Sequence, residues 1–355
     1  MKCWVTTVRR VSLKKASLKR ASLSVRCLSL PMLLFLLSTS ITPSAASQEA
    51  TPTLRSQANV VLVPVLVKGQ SGQIVYGLQA SDFIVEDDGV AQTVRLDDAS
   101  DAQPISIVIA IQKGRRASYE FPRIKTLATM LEPLFSTGQA QAALVEFDSG
   151  VKTTREFTKD FHLIEDDLEN LQPGDNGAAI LDAAFLSEKL LERAPDGSQR
   201  VLLLISETRD HGSVFRKSMD EVVSALGNKN TVVTTLSFSP SLSNILDTGR
   251  GKNKKEMNAA PDLLAPFKMS YAALKKNTPR TLAGMTGGEY ELFSSQRNFE
   301  ARMNEFTNHL ESRYQLSFQP KNPKPGLHRL RVRLKNPSGD VVLARGSYWA
   351  EGRGN

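Results

Sequence analysis

Seven consecutive residues, 105–111, read Ile-Ser-Ile-Val-Ile-Ala-Ile. A strand with one face in water alternates apolar and polar side chains. This one does not, so both of its faces must be covered. Two more buried strands are predicted at 142–147 and 201–206, and a fourth strand at 231–238. The intervening segments carry apolar residues at helical spacing. These are Leu127, Met130, Leu131 and Leu134, then Ile180, Leu181, Ala184, Phe185 and Leu190, then Val222, Val223 and Leu226. A helix at 279–285 with Pro279 in its first turn, a short strand at 290–293 and an amphipathic helix at 299–313 complete the series. Buried strands alternating with helices predict an α/β fold, a doubly wound and mostly parallel sheet with helices on both faces.

Both flanks are β-patterned instead. Residues 60–68 are mostly β-formers, and 74–76, 83–86 and 93–96 continue the pattern. Asp87-Asp88-Gly89 is a hairpin turn. Later strands are predicted at 314–318, 327–334 and 341–348, the last two joined by Asn336-Pro337-Ser338-Gly339. Neither flank has enough strands to close a core alone. Together they predict a small β-sandwich that flanks the α/β domain or receives it as an insertion. The expected domains are an N-terminal β-module at 58–100, an α/β domain at 104–313 and a C-terminal β-module at 314–350 paired with the first. Residues 239–272 contain Arg250, Lys252, Lys254 and Lys255 without apolar periodicity. They read as a solvated insertion, with a basic contact loop as the alternative.

The formal charge of +8 is misleading. Residues 1–47 hold eight cations, from Lys2 to Arg26, and no acid. Without them, 37 cations face 37 anions, so the body is neutral and a nucleic-acid footprint is excluded. The cations are followed by an apolar stretch at 28–37 and by Thr42-Pro43-Ser44-Ala45-Ala46-Ser47. That order predicts a secretory signal peptide at 1–47, cleaved after Ala46 or Ser47, with no transmembrane anchor remaining. A retained anchor helix is the alternative, and Arg9-Arg10 resembles a twin-arginine signal placed far upstream. Cys3 and Cys27 both lie in this leader, so the exported body has no disulfide and no thiolate site. Its expected location is secreted, periplasmic or cell-envelope associated.

Several segments carry a family resemblance. Residues 61–67, Gly72, Gly77-Leu78 and 82–89 are similar to the opening module of the VWFA-related bacterial exported proteins. Residues 104–111 resemble the first strand of a von Willebrand factor type A domain. Leu282-Ala283-Gly284-Met285-Thr286-Gly287-Gly288-Glu289-Tyr290 resembles that family's Thr-Gly-Gly approach to its last strand. Residues 314–320 and 329–334 resemble its C-terminal module. The resemblance implies a type A fold and a divalent-cation site at the top of the sheet, built from Asp-x-Ser-x-Ser, a Thr and a further Asp. Here the first motif is Gln112-Lys113-Gly114-Arg115-Arg116, the second loop is Asp175-Asn176-Gly177-Ala178, and the third is Ser206-Glu207-Thr208-Arg209-Asp210. Hard cations want oxygen ligands, and most of those positions have lost them while three cations have arrived. No metal and no cofactor are expected.

Enzyme motifs are missing. His162, His211, His309 and His328 do not have zinc-site spacing, and no nucleophile elbow or phosphate-cradling loop is present. The sequence therefore points to an exported, non-enzymatic protein-binding module of adhesion or interaction type with a degenerate metal site. The candidate contact residues are Gln112, Lys113, Arg115, Arg116, Asp175, Glu207 and Asp210, meeting a protein partner through a carboxylate. The bland competitor is an ion pair between one of the arginines and Glu207. Alternatives from other classes are an envelope scaffold subunit, or an enzyme using Glu207, Asp210 and His211 as acid/base groups.

Overall fold

The computed structural model describes residues 60–97, 103–214, 217–228, 230–238, 276–321 and 324–350. The expected signal segment and the basic stretch at 239–272 lie outside the described residues. The N-terminal flank forms β1 (Val61–Lys68), β2 (Phe83–Asp87), the two-residue β3 (Val90–Ala91) and β4 (Val94–Asp97). The strand expected at 74–76 is not formed; Ile74 makes only a single bridge to Lys68. Gly72 and Gly77, at φ 90° and 81°, turn the backbone on either side before a ladder can extend.

The α/β part runs β5 (Ile105–Gln112), α1 (Phe121–Ile124), α2 (Leu127–Ser136), β6 (Ala140–Phe147), β7 (Val151–Thr158), α3 (Phe161–Glu169) and α4 (Ile180–Leu191). It continues with β8 (Gln199–Ser206), α5 (Met219–Asn228), β9 (Val232–Phe238), α6 (Thr278–Thr286), β10 (Tyr290–Phe293) and α7 (Gln296–Leu310). Its six strands lie in the order β10-β9-β8-β5-β6-β7, all parallel except β7, which runs antiparallel to β6. All eight residues of β5 are buried, and alternate side chains feed two cores. Ile105, Ile107, Ile109 and Ile111 pack with side chains of α2, α3 and α7, among them Leu131, Ile164 and Phe299. Val108 and Ala110 pack with side chains of α4, α5 and α6, among them Ile180, Leu226 and Leu282. The sheet is thus covered on both faces, as the unbroken apolar run requires.

The C-terminal flank supplies β11 (Tyr314–Phe318), β12 (Gly326–Leu334), β13 (Val341–Ala344) and β14 (Ser347–Ala350). These strands mix with those of the N-terminal flank. One antiparallel sheet has the order β13-β1-β11-β4, the other β14-β12-β2-β3. Val63, Val65, Phe83, Val85, Leu316, Leu330 and Tyr348 from both sheets share one core. The segment expected as one strand at 341–348 is divided between the two sheets. The break lies at Arg345, whose buried guanidinium donates to the carbonyls of Ser347 at 2.8 Å and Gly227 at 2.6 Å and pairs with the side chain of Asn230.

Thr286-Gly287-Gly288 joins the sandwich to the floor of the sheet. Gly287 closes α6 at φ 77°, and a Cβ there would lie 2.4 Å from the Arg345 nitrogen. A Cβ on Gly288 would lie 2.1 Å from the Val233 carbonyl oxygen, near the start of β9. The Thr286 hydroxyl accepts the Val233 N–H at 2.9 Å and donates to the Leu282 carbonyl at 2.9 Å. The opposite edge of the sheet, where the parallel strands end, is left for the candidate site.

Candidate functional site

Open α/β sheets hold ligands beyond the carboxyl ends of their strands. Four loops meet there: 112–116 after β5, 148–150 after β6, 174–179 before α4 and 207–211 after β8. Backbone hydrogen bonds knit them together. The Lys113 N–H donates to Phe147 O at 2.7 Å, Gly174 N–H to Lys113 O at 2.7 Å, and Arg115 N–H to Asp175 O at 2.7 Å. A Cβ on Gly114 would lie 2.7 Å from Gly177 O, and one on Gly177 would lie 2.4 Å from Ser149 Cα. The glycines are therefore required by close backbone packing between loops.

The centre is a closed polar network. Gln112 is buried; its Nε2 donates to Glu207 Oε1 at 2.8 Å, and its Oε1 accepts the Glu207 N–H at 2.8 Å. Glu207 Oε1 also lies 2.7 Å from His211 Nε2. The His211 backbone bonds in both directions with Ala178, at 2.8 and 3.0 Å, which fixes the third loop to the second. Glu207 is nearly buried, whereas the His211 side chain is 42% exposed. Asp175 accepts the Ser149 hydroxyl, the Ser149 N–H at 3.0 Å and the Gly177 N–H at 2.7 Å. The Ser149 hydroxyl foremost, with the Gly177 amide, holds its carboxyl below the ordinary range.

The remaining candidates divide. Lys113 lies 3.7 Å from Glu146 and 3.9 Å from Asp148. Arg115 and Arg116 are exposed, and among the described residues no carboxylate lies within ion-pair distance of either guanidinium. The arginine–Glu207 pair is not formed, because Glu207 is already engaged by Gln112 and His211. Asp210 is turned toward α4, where it accepts the Leu181 N–H at 2.9 Å, and burial pushes its carboxyl up. It does not join the Glu207–His211 pair.

The sequence reading did not single out Ser149, Tyr119 or Val214. Ser149 was detectable as part of an Asp-Ser-Gly turn directly after a buried parallel strand. Tyr119 is 79% exposed on the turn after Arg116, and Val214 is 67% exposed beyond His211. Isolated exposed apolar residues carry no sequence signal; only the fold shows that the Val214 N–H donates to Ser149 O at 2.9 Å and so ties this segment to the loop after β6.

The donor set does not suit the divalent cation that the family resemblance implies. Gln112 spends both amide atoms on Glu207, Gly114 and Ala178 have no ligand atom, and Arg116 is a cation. Glu207, the one carboxylate among the positions aligned with the metal motif, already contacts the Gln112 amide and His211.

No family model matches the sequence, and no curated protein matches it. Solved structures do. BatB from Bacteroides thetaiotaomicron is 15% identical over 58% of this chain and 98% of its own, with a TM-score of 0.39. A von Willebrand factor type A protein from Catenulispora acidiphila is 12% identical over 77% and 74%, with a TM-score of 0.41. The PilB minor pilin from Streptococcus sanguinis is 13% identical over 61% and 64%, with a TM-score of 0.39. The strand order, with five parallel strands, one antiparallel edge and helices on both faces, gives this chain a von Willebrand factor type A-like fold flanked by a β-sandwich.

Proposed function

We propose that this chain is an exported, non-enzymatic interaction module that meets a protein partner on the upper edge of its α/β sheet without a metal. The observation that carries the reading is the pair Arg115 and Arg116, exposed and without an acidic partner among the described residues, beside a polar network closed on itself. A guanidinium presents a planar fork that matches a carboxylate in two hydrogen bonds. The partner accordingly supplies an Asp or Glu side chain. Exposed Tyr119 and Val214 offer apolar contact nearby, and Arg and Tyr are enriched where interfaces concentrate their energy. The metal site implied by the resemblance is degenerate in this reading, its position filled by Gln112, Glu207 and His211.

The test uses immobilised protein and a cell-envelope extract. Wild type should retain a specific protein in the presence of EDTA, and the Arg115→Ala/Arg116→Ala double variant, with an unchanged melting temperature, should lose it. Capture abolished by EDTA would overturn the metal-free reading; capture indifferent to both arginines would overturn the carboxylate contact. The 2.7 Å Glu207–His211 contact favours one second reading, acid/base chemistry at this edge. A turnover that disappears in His211→Ala would establish it.

A further inference from the structure

His328 stands on β12 opposite Tyr348 of β14, and on its other side β12 pairs with β2. His328 and Asp87 are 3% and 4% exposed. Nδ1 of His328 lies 2.9 Å from Asp87 Oδ1 and 3.2 Å from Asp88 Oδ2. Nε2 lies 2.6 Å from the Lys324 carbonyl oxygen. A carbonyl oxygen only accepts, so Nε2 bears a hydrogen. Ionised carboxylates only accept, so Nδ1 bears one too. An imidazole that donates from both nitrogens is an imidazolium. Tyr348 stacks on the ring, with centroids 4.8 Å apart and planes at 27°, and its hydroxyl donates to Asp87 Oδ2 at 2.9 Å. Asp88 sits at φ 49° and accepts the Arg329 N–H at 3.0 Å.

We propose that the sheet β14-β12-β2-β3 is closed by a buried imidazolium at His328, a latch that holds while both ring nitrogens are protonated and opens when rising pH removes one proton. The groups facing the ring are Asp87 and Asp88 from β2 and its turn, Tyr348 from β14 and the Lys324 carbonyl; Arg345 acts on it only through Tyr348. Burial works against the charge, but the carbonyl and the two acids outweigh it and hold the imidazole above its ordinary 6.5. Deprotonation at Nδ1 leaves the buried Asp87 carboxylate facing a lone pair, with the exposed Asp88 carboxylate beside it, so the contact that closes the sheet is lost at a cost. The element released is the β2–β3 hairpin, whose outer strand is held by only two register pairs. A histidine raised on folding stabilises fully below its unfolded value, and that support is lost as pH climbs through the folded value. The latch is therefore shut below about 6.5 and opens as pH rises through the raised folded value. A proton, not a metal, is the cation here, because Nδ1 directs no lone pair at the acids and both Asp87 oxygens already have donors.

Imidazole NMR of the full chain from pH 5 to 10 tests this directly. The midpoint should lie above 6.5, with both His328 nitrogens protonated on its acid side. A midpoint at or below 6.5 would overturn the latch without touching the reading of the upper edge, which shares no residue with it. Amide exchange at Asp88 and Gln92, normalised to β5, should accelerate across that midpoint, by about tenfold per pH unit if opening is tied to one proton. Asp88→Asn, a change on an exposed turn, should lower the midpoint; an unchanged midpoint would count against the proposal. His328→Gln should abolish the pH dependence of hairpin exchange. Zinc added to EDTA-treated protein should leave exchange unaltered. Protection by zinc that is lost in His328→Gln would place a metal where the proton is drawn, and would overturn it.

Discussion

Glu188 is fully buried in α4, and neither carboxylate oxygen has a hydrogen-bond partner among the described residues. Burial drives its carboxyl from an ordinary 4.5 up to about 7; the nearby Thr231 hydroxyl, which makes no full hydrogen bond, and Arg200 offset only part of this. The sign follows from linkage. Between these two values the folded chain binds more protons than the unfolded one, so Glu188 lowers stability as pH rises from 4.5 to about 7. The full penalty is on the order of 3 kcal/mol, reached above neutrality. Glu188→Gln should therefore be more stable than wild type at pH 8, by about 2 kcal/mol once amide burial is counted, and close to it at pH 4.5. Urea unfolding at the two pH values checks this; an equal difference at both would exclude Glu188 as its source. Single residues of this kind were not legible beforehand, since Glu in an amphipathic helix reads as a solvated position. The same holds for His328 and Asp87, 241 positions apart.

At the scale of elements the turn glycines separate into two kinds. Gly89 has φ 83° with no atom near a would-be Cβ, whereas Gly287 has φ 77° with the Arg345 nitrogen 2.4 Å away. Gly89→Ala should cost only the left-handed strain, about 1 kcal/mol. Gly287→Ala adds a clash with a second backbone and should cost about 3 kcal/mol. Melting temperatures of the two variants decide this, and equal losses would mean that the junction gives way easily. The strands that were legible, β5, β6, β8 and β9, are largely buried on both faces and are mostly apolar or β-branched. β7 was not, because Val-Lys-Thr-Thr-Arg-Glu-Phe-Thr is a half-buried edge with no apolar run. The division of β13 from β14 was hidden for another reason: only Arg345's distant partners, Gly227 and Asn230, explain why the chain changes sheets there. In the candidate site, aligned loops brought Gln112 and Glu207 to one edge, but their mutual hydrogen bonds and the orientation of Asp210 depend on side-chain geometry that spacing does not encode.

At the scale of the whole molecule, the ends of the described chain are interleaved. β1 depends on β11 and β13, and β2 depends on β12, so each sandwich sheet takes strands from both flanks. The sandwich also grips the α/β floor through charge. Lys68 at the end of β1 donates to Glu289 at 2.8 Å, and His309 at the end of α7 lies 2.9 Å from the same carboxylate. Burial alone would raise the Glu289 carboxyl, but the His309 hydrogen bond and the charges of Lys68, His309 and Arg313 bring it down to about 2. Deleting residues 320–355 removes β12, β13 and β14 together. β1 then keeps one neighbour, β2 keeps only β3, and Val65, Phe83 and Val85 lose Leu330, Leu334 and Tyr348 from their core. Bare strand edges beside uncovered apolar faces pair with other chains, so the truncated protein should aggregate. The six-stranded sheet keeps both of its own cores, so any soluble fraction should retain helical circular dichroism while melting at lower temperature. A truncated chain that stays monomeric and melts like the full one would show that the N-terminal strands close without the C-terminal ones.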